Sequence, residues 1–427
     1  MITKIRSILI PFITVCLILG VAIVLIAYGR GYRFSFSQKS LQPTGLLTVT
    51  SEPNGAQILV NGKLKTATNA TISLSPDWYT VTISKEGFQS WEKKIQVQGE
   101  VVARADALLL PTNPSLTAIT ASGVANPSLS PDGSKLVYVI PNQKESNNTL
   151  PSTRPGVWVL DLVDKPLGLN RDARQIAKTL PAQAGARIDF SKAALAWSPD
   201  NKQVLACITT TTCYLLETDN LNETPILINN IKTIQNEWKD IRNQKEKEKL
   251  ATLQIELIYI ATSSMKLVEF SPDESKFLYE ATKSATIPPI ITLPLIGSNP
   301  TPEARDIKPG NVYVYDIKED RNYLMGDSKT IRQLDDKKDS DSSLLQSYGL
   351  TVSSSLQWLP TSRHFMLVGK DKIEIMDYDG TNRRTGYAGP FWDSFAVPWT
   401  NATKIVILTN LNSTASAINN LYAVNLR

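Results

Sequence analysis

The sequence holds almost none of the side chains from which metal and cofactor sites are usually built. It contains one histidine and three cysteines in 427 residues, and one cysteine, Cys16, lies in a long apolar run. Zinc, haem and iron–sulfur sites depend on clusters of these residue types. We therefore expect no metal site and no cofactor.

An excess of charge of one sign is also lacking. Lys and Arg number 45 and Asp and Glu number 40, which leaves a formal net charge of +5. A nucleic-acid-binding protein normally concentrates positive charge on one surface. We expect no nucleic-acid partner.

Catalytic motifs are missing as well. The sequence has no G-x-S-x-G elbow, no phosphate-binding loop and no H-E-x-x-H helix. The single histidine, His364, falls in a predicted strand, which is a poor place for the base of a catalytic triad. An acidic run lacks the Gly and distal Glu of a calcium loop, so we expect a solvated loop at Asp335, Asp336, Asp339 and Asp341. We assign no catalytic residue.

The N-terminus contains the longest apolar run. Residues 8–28 carry no charge, and a helix of this length spans the roughly 30 Å hydrocarbon core of a membrane. The run is too long for a cleaved signal peptide, and no small-x-small cleavage site follows it before Arg30. Residues 1–33 are therefore predicted to be a short cytoplasmic tail and a single-pass anchor in the cell membrane. Charges flank both ends almost equally, so the N-in orientation, with the bulk of the chain extracytoplasmic, rests on the long polar, strand-rich sequence that follows.

After a tether at residues 34–44, residues 45–111 alternate between apolar and polar side chains. The breaks at Pro53-Asn54-Gly55 and Asn61-Gly62 have turn chemistry. The pattern predicts a small β-sandwich, built as a meander of about six strands, with Trp78 and Tyr79 in its core.

This segment resembles the PEGA domain family. The residues that carry the resemblance are Pro53, Gly55, Ala56, Asn61 and Gly62. Asn54 stands where the family has its glutamate. The resemblance implies a cell-surface module of bacterial or archaeal proteins without an activity of its own. We interpret the motif residues as structural, because glycines in such turns supply positive φ.

The remaining chain, residues 112–427, contains five copies of a paired unit, a turn and strand followed by a second strand. The turn is Ser-Pro-Asp in three copies, in which the predicted structural residues are Pro131, Asp132, Pro199, Asp200, Pro272 and Asp273. Two later copies replace it with Leu359-Pro360-Thr361 and Thr400-Asn401-Ala402. Pro fixes φ in such a turn and Asp accepts hydrogen bonds from backbone amides.

These repeats resemble the TolB-type β-propeller family. Measured from Pro131 to Asn401, all spacings except the last exceed the roughly 40 to 45 residues that a blade needs. We therefore expect a β-propeller of five to seven blades with insertions. The predicted fold is all-β: an N-terminal transmembrane helix, a PEGA-like sandwich and this propeller with one helical insertion.

Two insertions and a cysteine pair stand out. Helical spacing predicts a helix over about 231–257, which either packs along the propeller with its charged face solvated or serves as a docking arm for a partner. A proline-rich, apolar segment at 287–310 either seals the propeller edge or forms part of a binding mouth. Cys207 and Cys213 fall nearly opposite on a predicted hairpin, where they could form a disulfide or remain buried thiols.

The functional prediction is a non-catalytic binding or scaffold protein of the cell envelope. A propeller face would engage an envelope protein or a cell-wall polysaccharide. The alternative is a carbohydrate-active enzyme of the lyase or glycosidase type, whose site would need carboxylates from separate blades in the propeller funnel. A third hypothesis is a passive spacer.

Overall fold

The computed structural model describes residues 2–29, 32–35, 40–142, 154–164, 173–179, 188–292, 295–332, 355–392, 395–411 and 419–427. The acidic run at 335–341 and part of the tether lie outside these residues. Two compact units are present. Unit 1 comprises Met1–Leu109 and Ile291–Pro302, and unit 2 comprises Leu110–Ile290 and Glu303–Arg427.

Unit 1 begins with the apolar helix α1, Ile2–Gly29. Within it, Phe12–Gly29 has a mean hydropathy of 2.7, and no part of this window is buried. A helix with this length and composition is compatible with a membrane anchor or with a signal sequence.

The strands of unit 1 form a hairpin and two facing sheets. Their bounds are β1 Tyr32–Ser35, β2 Ser40–Pro43, β3 Gly45–Glu52, β4 Gln57–Val60, β5 Lys63–Ala67, β6 Ala70–Leu74, β7 Asp77–Ser84, β8 Trp91–Val97 and β9 Val102–Leu108. The hairpin is β1-β2, and the sheets are β6-β3-β9 and β5-β4-β7-β8. Alternate residues such as Leu47, Ile58 and Val81 are fully buried between the sheets, as the period-two pattern predicts.

Two expectations for this sandwich are wrong. It has seven strands, β3 to β9. It is not a simple meander, because β3 pairs in parallel with β9. Trp78 does not fill the core: it is 42% exposed, and Lys94 Nζ lies 5.3 Å from its ring centroid. Trp91, whose register places it on the inner face of β8, is buried in the core instead.

In its described residues, unit 2 contains five four-stranded antiparallel sheets, here named A to E, and one two-stranded sheet. The strand bounds are β10 Leu116–Ala118, β11 Ala125–Leu129, β12 Lys135–Ile140, β13 Gly156–Asp161, β14 Arg174–Lys178, β15 Ala194–Trp197, β16 Gln203–Cys207, β17 Cys213–Glu217, β18 Ile226–Ile228, β19 Met265–Phe270, β20 Lys276–Ala281, β21 Ala285–Thr286, β22 Asp306–Ile307, β23 Asn311–Asp316, β24 Arg321–Asp327, β25 Leu356–Trp358, β26 His364–Val368, β27 Lys372–Asp377, β28 Arg384–Ala388, β29 Ala396–Pro398, β30 Lys404–Thr409 and β31 Asn420–Asn425. Sheet A is β11–β14, B is β15–β18, C is β19-β20-β23-β24, D is β25–β28 and E is β29-β30-β31-β10. The last sheet thus joins the first strand of unit 2 to its last three.

Each sheet begins with the same turn between its first two strands. The first residue of the turn both donates and accepts a backbone hydrogen bond. In the first turn, Ser130 N donates to Lys135 O at 2.8 Å, and Ser130 O accepts from Gly133 N at 2.9 Å. The equivalent closing bonds begin at Ser198, Ser271, Leu359 and Trp399. The fourth residue has positive φ in all five turns, at Gly133, Asn201, Glu274, Ser362 and Ala402.

The hydrogen bonds show that the fifth turn was aligned with the other four one residue too late. Thr400, not Asn401, occupies the place of Pro131, because the closing bond starts at Trp399. Asn401 takes the place of the aspartate, since its Oδ1 accepts from the amide and hydroxyl of Thr403.

The helical insertion consists of two helices rather than one. They are α2, Ile231–Leu250, and α3, Ile255–Ser264. One face of sheet B packs against sheet A and the other against α2. One face of sheet C packs against sheet D and the other against α3. The two helices thus cover the faces of B and C that do not pack on sheets A and D, and they are part of the packed body. A short helix, α4 at Ser328–Arg332, follows sheet C.

Candidate functional site

The Ser-Pro-Asp residues are engaged in holding their own turns. Asp273 Oδ1 accepts from Ser271 Oγ, Ser275 N and Ser275 Oγ at 2.8 to 3.1 Å. Asp132 and Asp200 accept equivalent bonds. Burial opposes ionisation of Asp273, but these hydrogen bonds outweigh it and lower its pKa to about 2. These carboxylates therefore accept hydrogen bonds within their own turns, and their role is structural.

The single histidine belongs to the same repeat. His364 follows the fourth turn, where Lys135 and Lys276 follow the first and third. Its Nδ1 lies 2.9 Å from Thr361 Oγ1 and its Nε2 lies 3.7 Å from Asp377 Oδ1. The order hydroxyl, imidazole, carboxylate is that of a triad. However, Lys276 Nζ lies 3.5 Å from Asp316 in the corresponding place of sheet C. We therefore interpret the His364–Asp377 pair as a structural contact of the repeat, which joins the ends of two neighbouring strands.

One carboxylate in the first strands has an unusual ionisation. Glu269 lies at an exposed position of β19, yet desolvation of its carboxyl group raises the pKa to about 7, and the positive charge of Lys249 opposes this shift. The equivalent residues, two positions before each turn, are Ser128, Ala196, Gln357 and Val397. The described first strands therefore supply one carboxylate at this level, whereas glycoside hydrolysis commonly uses two.

The second insertion is fastened to sheet C by a buried polar clamp. Asp320, 3% exposed, accepts from Tyr315 Oη at 2.6 Å, Ile290 N at 2.7 Å and Arg305 Nη1 at 3.3 Å. Burial and the hydrogen bond to Asp320 raise the pKa of Tyr315, which therefore stays a donor. Asn322 adds bonds to both backbone groups of Ala304. The ends of the insertion are thus held against the sheet, while Ile291–Pro302 is part of unit 1, where Gly297 N donates to Gln98 Oε1 at 3.2 Å.

Cys207 and Cys213 are register partners in the β16–β17 hairpin, and their Sγ atoms are bonded. Their Cα atoms are 4.0 Å apart. Both side chains are buried beside Trp238 of α2. The hairpin and the helical insertion therefore meet at the disulfide.

The best candidate for a binding surface lies at the end of sheet E opposite the turns. We call Trp392 and Leu411, which are 50% and 44% exposed, the loop-end patch. Trp392 follows sheet D and Leu411 follows β30, and in antiparallel sheets both connections leave from the end opposite the turns. A Trp side chain offers a large contact area at low conformational cost.

The backbone around Trp392 is well fixed. Its amide donates to Leu408 O at 2.7 Å, and its carbonyl accepts from Phe395 N at 3.0 Å. Thr409 Oγ1 donates to Pro390 O at 2.7 Å. Phe391, next to Trp392, is buried against Tyr387, with ring centroids 6.3 Å apart. One aromatic residue thus anchors the loop and the next is left exposed.

Sequence reasoning missed this patch. The available signal is an aromatic pair directly after Gly389-Pro390 in a segment without strand alternation, where one ring is enough to anchor a loop. The helical spacing drew attention to α2 instead. In the structure Ile231, Ile234 and Trp238 of α2 pack against sheet B, whereas most of the exposed residues of the helix are Lys, Glu and Asp.

Among the described residues, no group of three or more His, Cys, Asp or Glu side chains could hold a metal ion. The predicted motif residues of unit 1 form turns: Gly55, Asn61 and Gly62 have positive φ, and Asn61 Oδ1 accepts from Thr80 N at 2.9 Å. Ala56 is fully buried in the sandwich core.

Comparison with known proteins identifies one part of the chain. Residues 44–113 match the PEGA domain, which confirms the resemblance predicted for this segment. No curated protein matches the chain.

Solved structures similar to this chain include two TolB proteins. TolB from Acinetobacter baumannii is 12% identical with a TM-score of 0.21, the match covering 81% of this chain and 59% of that one. The putative TolB from Agrobacterium tumefaciens is 11% identical with a TM-score of 0.18, covering 90% of this chain and 99% of that one. This chain thus spans less than two thirds of the Acinetobacter protein. Scores this low indicate no shared fold by themselves, and the description of unit 2 rests on its own strand pairing.

Proposed function

We propose that this chain is a membrane-anchored, non-catalytic binding or scaffold protein of the bacterial cell envelope. In this proposal α1 is a single-pass span with its N-terminus in the cytoplasm, and both folded units are extracytoplasmic. The anchor is supported by the apolar helix, because no residue of its segment Phe12–Gly29 is buried in the protein. The PEGA match supports a surface module, and a buried disulfide is typical of an oxidising compartment.

We further propose that unit 2 is a five-bladed β-propeller. Five sheets share one turn geometry, and the fifth sheet includes the first strand of the unit. Clusters of buried side chains join sheets A and B, A and E, and C and D. Gln357 of sheet D donates to Ala396 O of sheet E at 3.1 Å, and α2–α3 would complete the ring between B and C. The proposed domains are the anchor at 1–33, the tether at 34–44, the sandwich at 45–111 and the propeller at 112–427.

The observation that carries the binding role is the loop-end patch. Backbone hydrogen bonds hold Trp392, and Phe391 beside it is buried against Tyr387, while the Trp392 side chain is half exposed. Exposed tryptophans on fixed loops are typical hot spots of interfaces. The proposed occupant is an envelope protein or a cell-wall polysaccharide that packs against the indole ring.

The enzyme alternative has less support. Glu269 has no carboxylate beside it at the equivalent positions of the other four described first strands. A glycosidase of the usual kind needs a second carboxyl group about 5 to 9.5 Å away. A binding role needs no such partner.

The test uses the full-length protein in detergent, incubated with insoluble cell-wall fraction and, separately, with a cross-linked membrane fraction. Wild type, Trp392→Ala and the control Trp78→Ala are compared, since both tryptophans are exposed and lie in different units. We expect retention on one of the two fractions, reduced at least about tenfold by Trp392→Ala, the loss of one typical hot spot, and unchanged by Trp78→Ala. Equal retention of all three proteins would reject the patch, and no retention on either fraction would reject the binding role.

A further inference from the structure

Helix α2 rests on sheet B through one large side chain. Trp238 is the only buried residue of this 20-residue helix, at 4% exposure. It packs in a cluster with Ala196, Leu205 and the disulfide cysteines Cys207 and Cys213. The disulfide is therefore part of the surface on which the helix docks.

The other attachments of α2 lie near its two ends, and at its C-terminal end Leu250 packs against the core cluster of sheet C. Ile231 and Ile234 are half-buried at its first turn. Near its end, Lys245 Nζ donates to Pro199 O at 2.7 Å, and Lys249 Nζ meets Glu274 at 2.9 Å with both side chains exposed. Among the described residues the helix makes no backbone hydrogen bond to sheet B. Exposed ion pairs contribute little, so the docking of α2 on sheet B depends mainly on the burial of Trp238.

The disulfide is closed to reductants while the helix is docked. Cys207 and Cys213 are 1% and 2% exposed. Thiol–disulfide exchange requires a thiolate to reach one sulfur, form a mixed disulfide and then be resolved by a second thiol. A dithiol would donate two electrons and two protons, leaving both cysteines as thiols and becoming a disulfide itself. This reaction requires that α2 first lift from the sheet.

Reduction in turn disfavours the docked state. Two thiols in van der Waals contact need more room than two bonded sulfurs, and the site is closely packed. Cys207 and Cys213 lie in strands held by hydrogen bonds on both sides, since β16 pairs with β15 and β17 pairs with β18. The helix is the neighbour without such bonds, so the added volume displaces Trp238.

We propose that the Cys207–Cys213 disulfide and the docking of α2 form a redox-linked switch. In the oxidised protein α2 is docked and shields the sulfurs. In the reduced protein α2 detaches, and the apolar face of Ile231, Ile234 and Trp238 becomes accessible. Because such coupling is reciprocal, any partner that binds the detached helix also promotes reduction. The switch does not depend on the proposed binding role of Trp392.

The first test is limited trypsin digestion of the full-length protein in detergent, before and after treatment with dithiothreitol. Cleavage is followed by mass spectrometry after Lys239, Arg242 and Lys245 in α2, and at reference sites in sheets D and E, Arg384 and Lys404. We expect cleavage within α2 to accelerate at least about tenfold on reduction, as for a local opening, while the reference sites change less than about twofold. Equal acceleration at all sites, or none in α2, would overturn the proposal.

Variants separate the two directions of the coupling. Cys207→Ser combined with Cys213→Ser should give the fast α2 cleavage without reductant. Trp238→Ala should increase the rate at which dithiothreitol exposes new thiols to a maleimide label at least about tenfold, and the milder Trp238→Phe should fall between it and wild type. The same protein without dithiothreitol gives the background labelling of Cys16, the free cysteine. A reduction rate that is the same in wild type and in both Trp238 variants would show that α2 does not shield the bond.

Discussion

Replacing Asp320 by alanine is the sharpest test of how the second insertion is held. The carboxylate of Asp320 is almost fully buried and accepts hydrogen bonds from Tyr315, Ile290 and Arg305. Removing it leaves the buried phenol of Tyr315 and the backbone amide of the half-buried Ile290 without this acceptor, and it removes one anion from beside the Arg305 guanidinium. The insertion should then detach from sheet C.

The expected loss follows from the geometry. Truncating one partner of a buried ion pair costs about 3 to 5 kcal/mol. Arg305 keeps Glu303 at 3.0 Å and Pro288 O at 3.1 Å, which favours the lower limit. Asp320 also has a φ of +50°, a conformation that costs alanine roughly 1 kcal/mol. We therefore expect the free energy of unfolding to fall by about 3 to 4 kcal/mol.

The assay is urea unfolding of full-length protein in detergent, followed by circular dichroism, with hydrogen exchange at the Ile290 amide as the local readout. Asp306→Ala is the matched control, because Asp306 is an exposed carboxylate of the same insertion that accepts one bond, from Thr286 Oγ1 at 2.7 Å. It should cost less than about 1 kcal/mol. If Asp320→Ala and Asp306→Ala destabilise the protein equally, the clamp does not hold the insertion as described.

Three further predictions concern the turns, the disulfide and the patch. The lowered pKa of Asp273 gives a contribution to stability that is present above the unfolded pKa of about 3.9 and lost as the pH falls through about 2; acid titration of unfolding should show this loss in wild type and not in Asp273→Asn. Replacing Cys207 and Cys213 together by Ala should lower the free energy of unfolding by about 2 kcal/mol, the value for a short closed loop, and a change near zero in urea unfolding would contradict it. Trp392→Ala should leave the urea midpoint within experimental error while reducing retention on the binding fraction at least about tenfold; a large loss of stability would mean that the ring is structural.

The parts of the fold that depend on local chemistry could be predicted from the sequence. Asn61-Gly62 requires positive φ at a tight turn, and it adopts that conformation. Ser-Pro-Asp predicts a capped turn, and Asp132 caps it. The alternation of strands β3, β4, β7 and β8 predicts their buried faces. Each of these signals is contained within a few neighbouring residues.

The parts that depend on distant contacts could not be predicted in the same way. The parallel pairing of β3 with β9 joins the strands that come first and last in the sequence of the sandwich. The fifth turn keeps its shape through backbone hydrogen bonds that need neither Pro nor Asp, which is why its frame was misplaced by one residue. Apolar spacing across α2 and α3 continued through the break between them, so one helix was expected where two pack on different sheets.

The candidate site was the least predictable feature. The exposure of Trp392 results from bonds to Leu408 and from the burial of Phe391, neither of which leaves a pattern in the sequence. The clamp at Asp320 likewise joins three segments, through a backbone amide and through side chains of types that are common on any surface. Predicting either site requires the tertiary structure.

The most direct test of the proposed envelope role is protease accessibility in cells freed of any outer barrier. An epitope tag at the C-terminus and a cytoplasmic control protein are followed before and after lysis. The proposal predicts that protease removes the tag and unit 2 from unlysed cells while the control protein stays intact. Protection of unit 2 until lysis would place it in the cytoplasm and contradict both the orientation of α1 and the extracytoplasmic binding role.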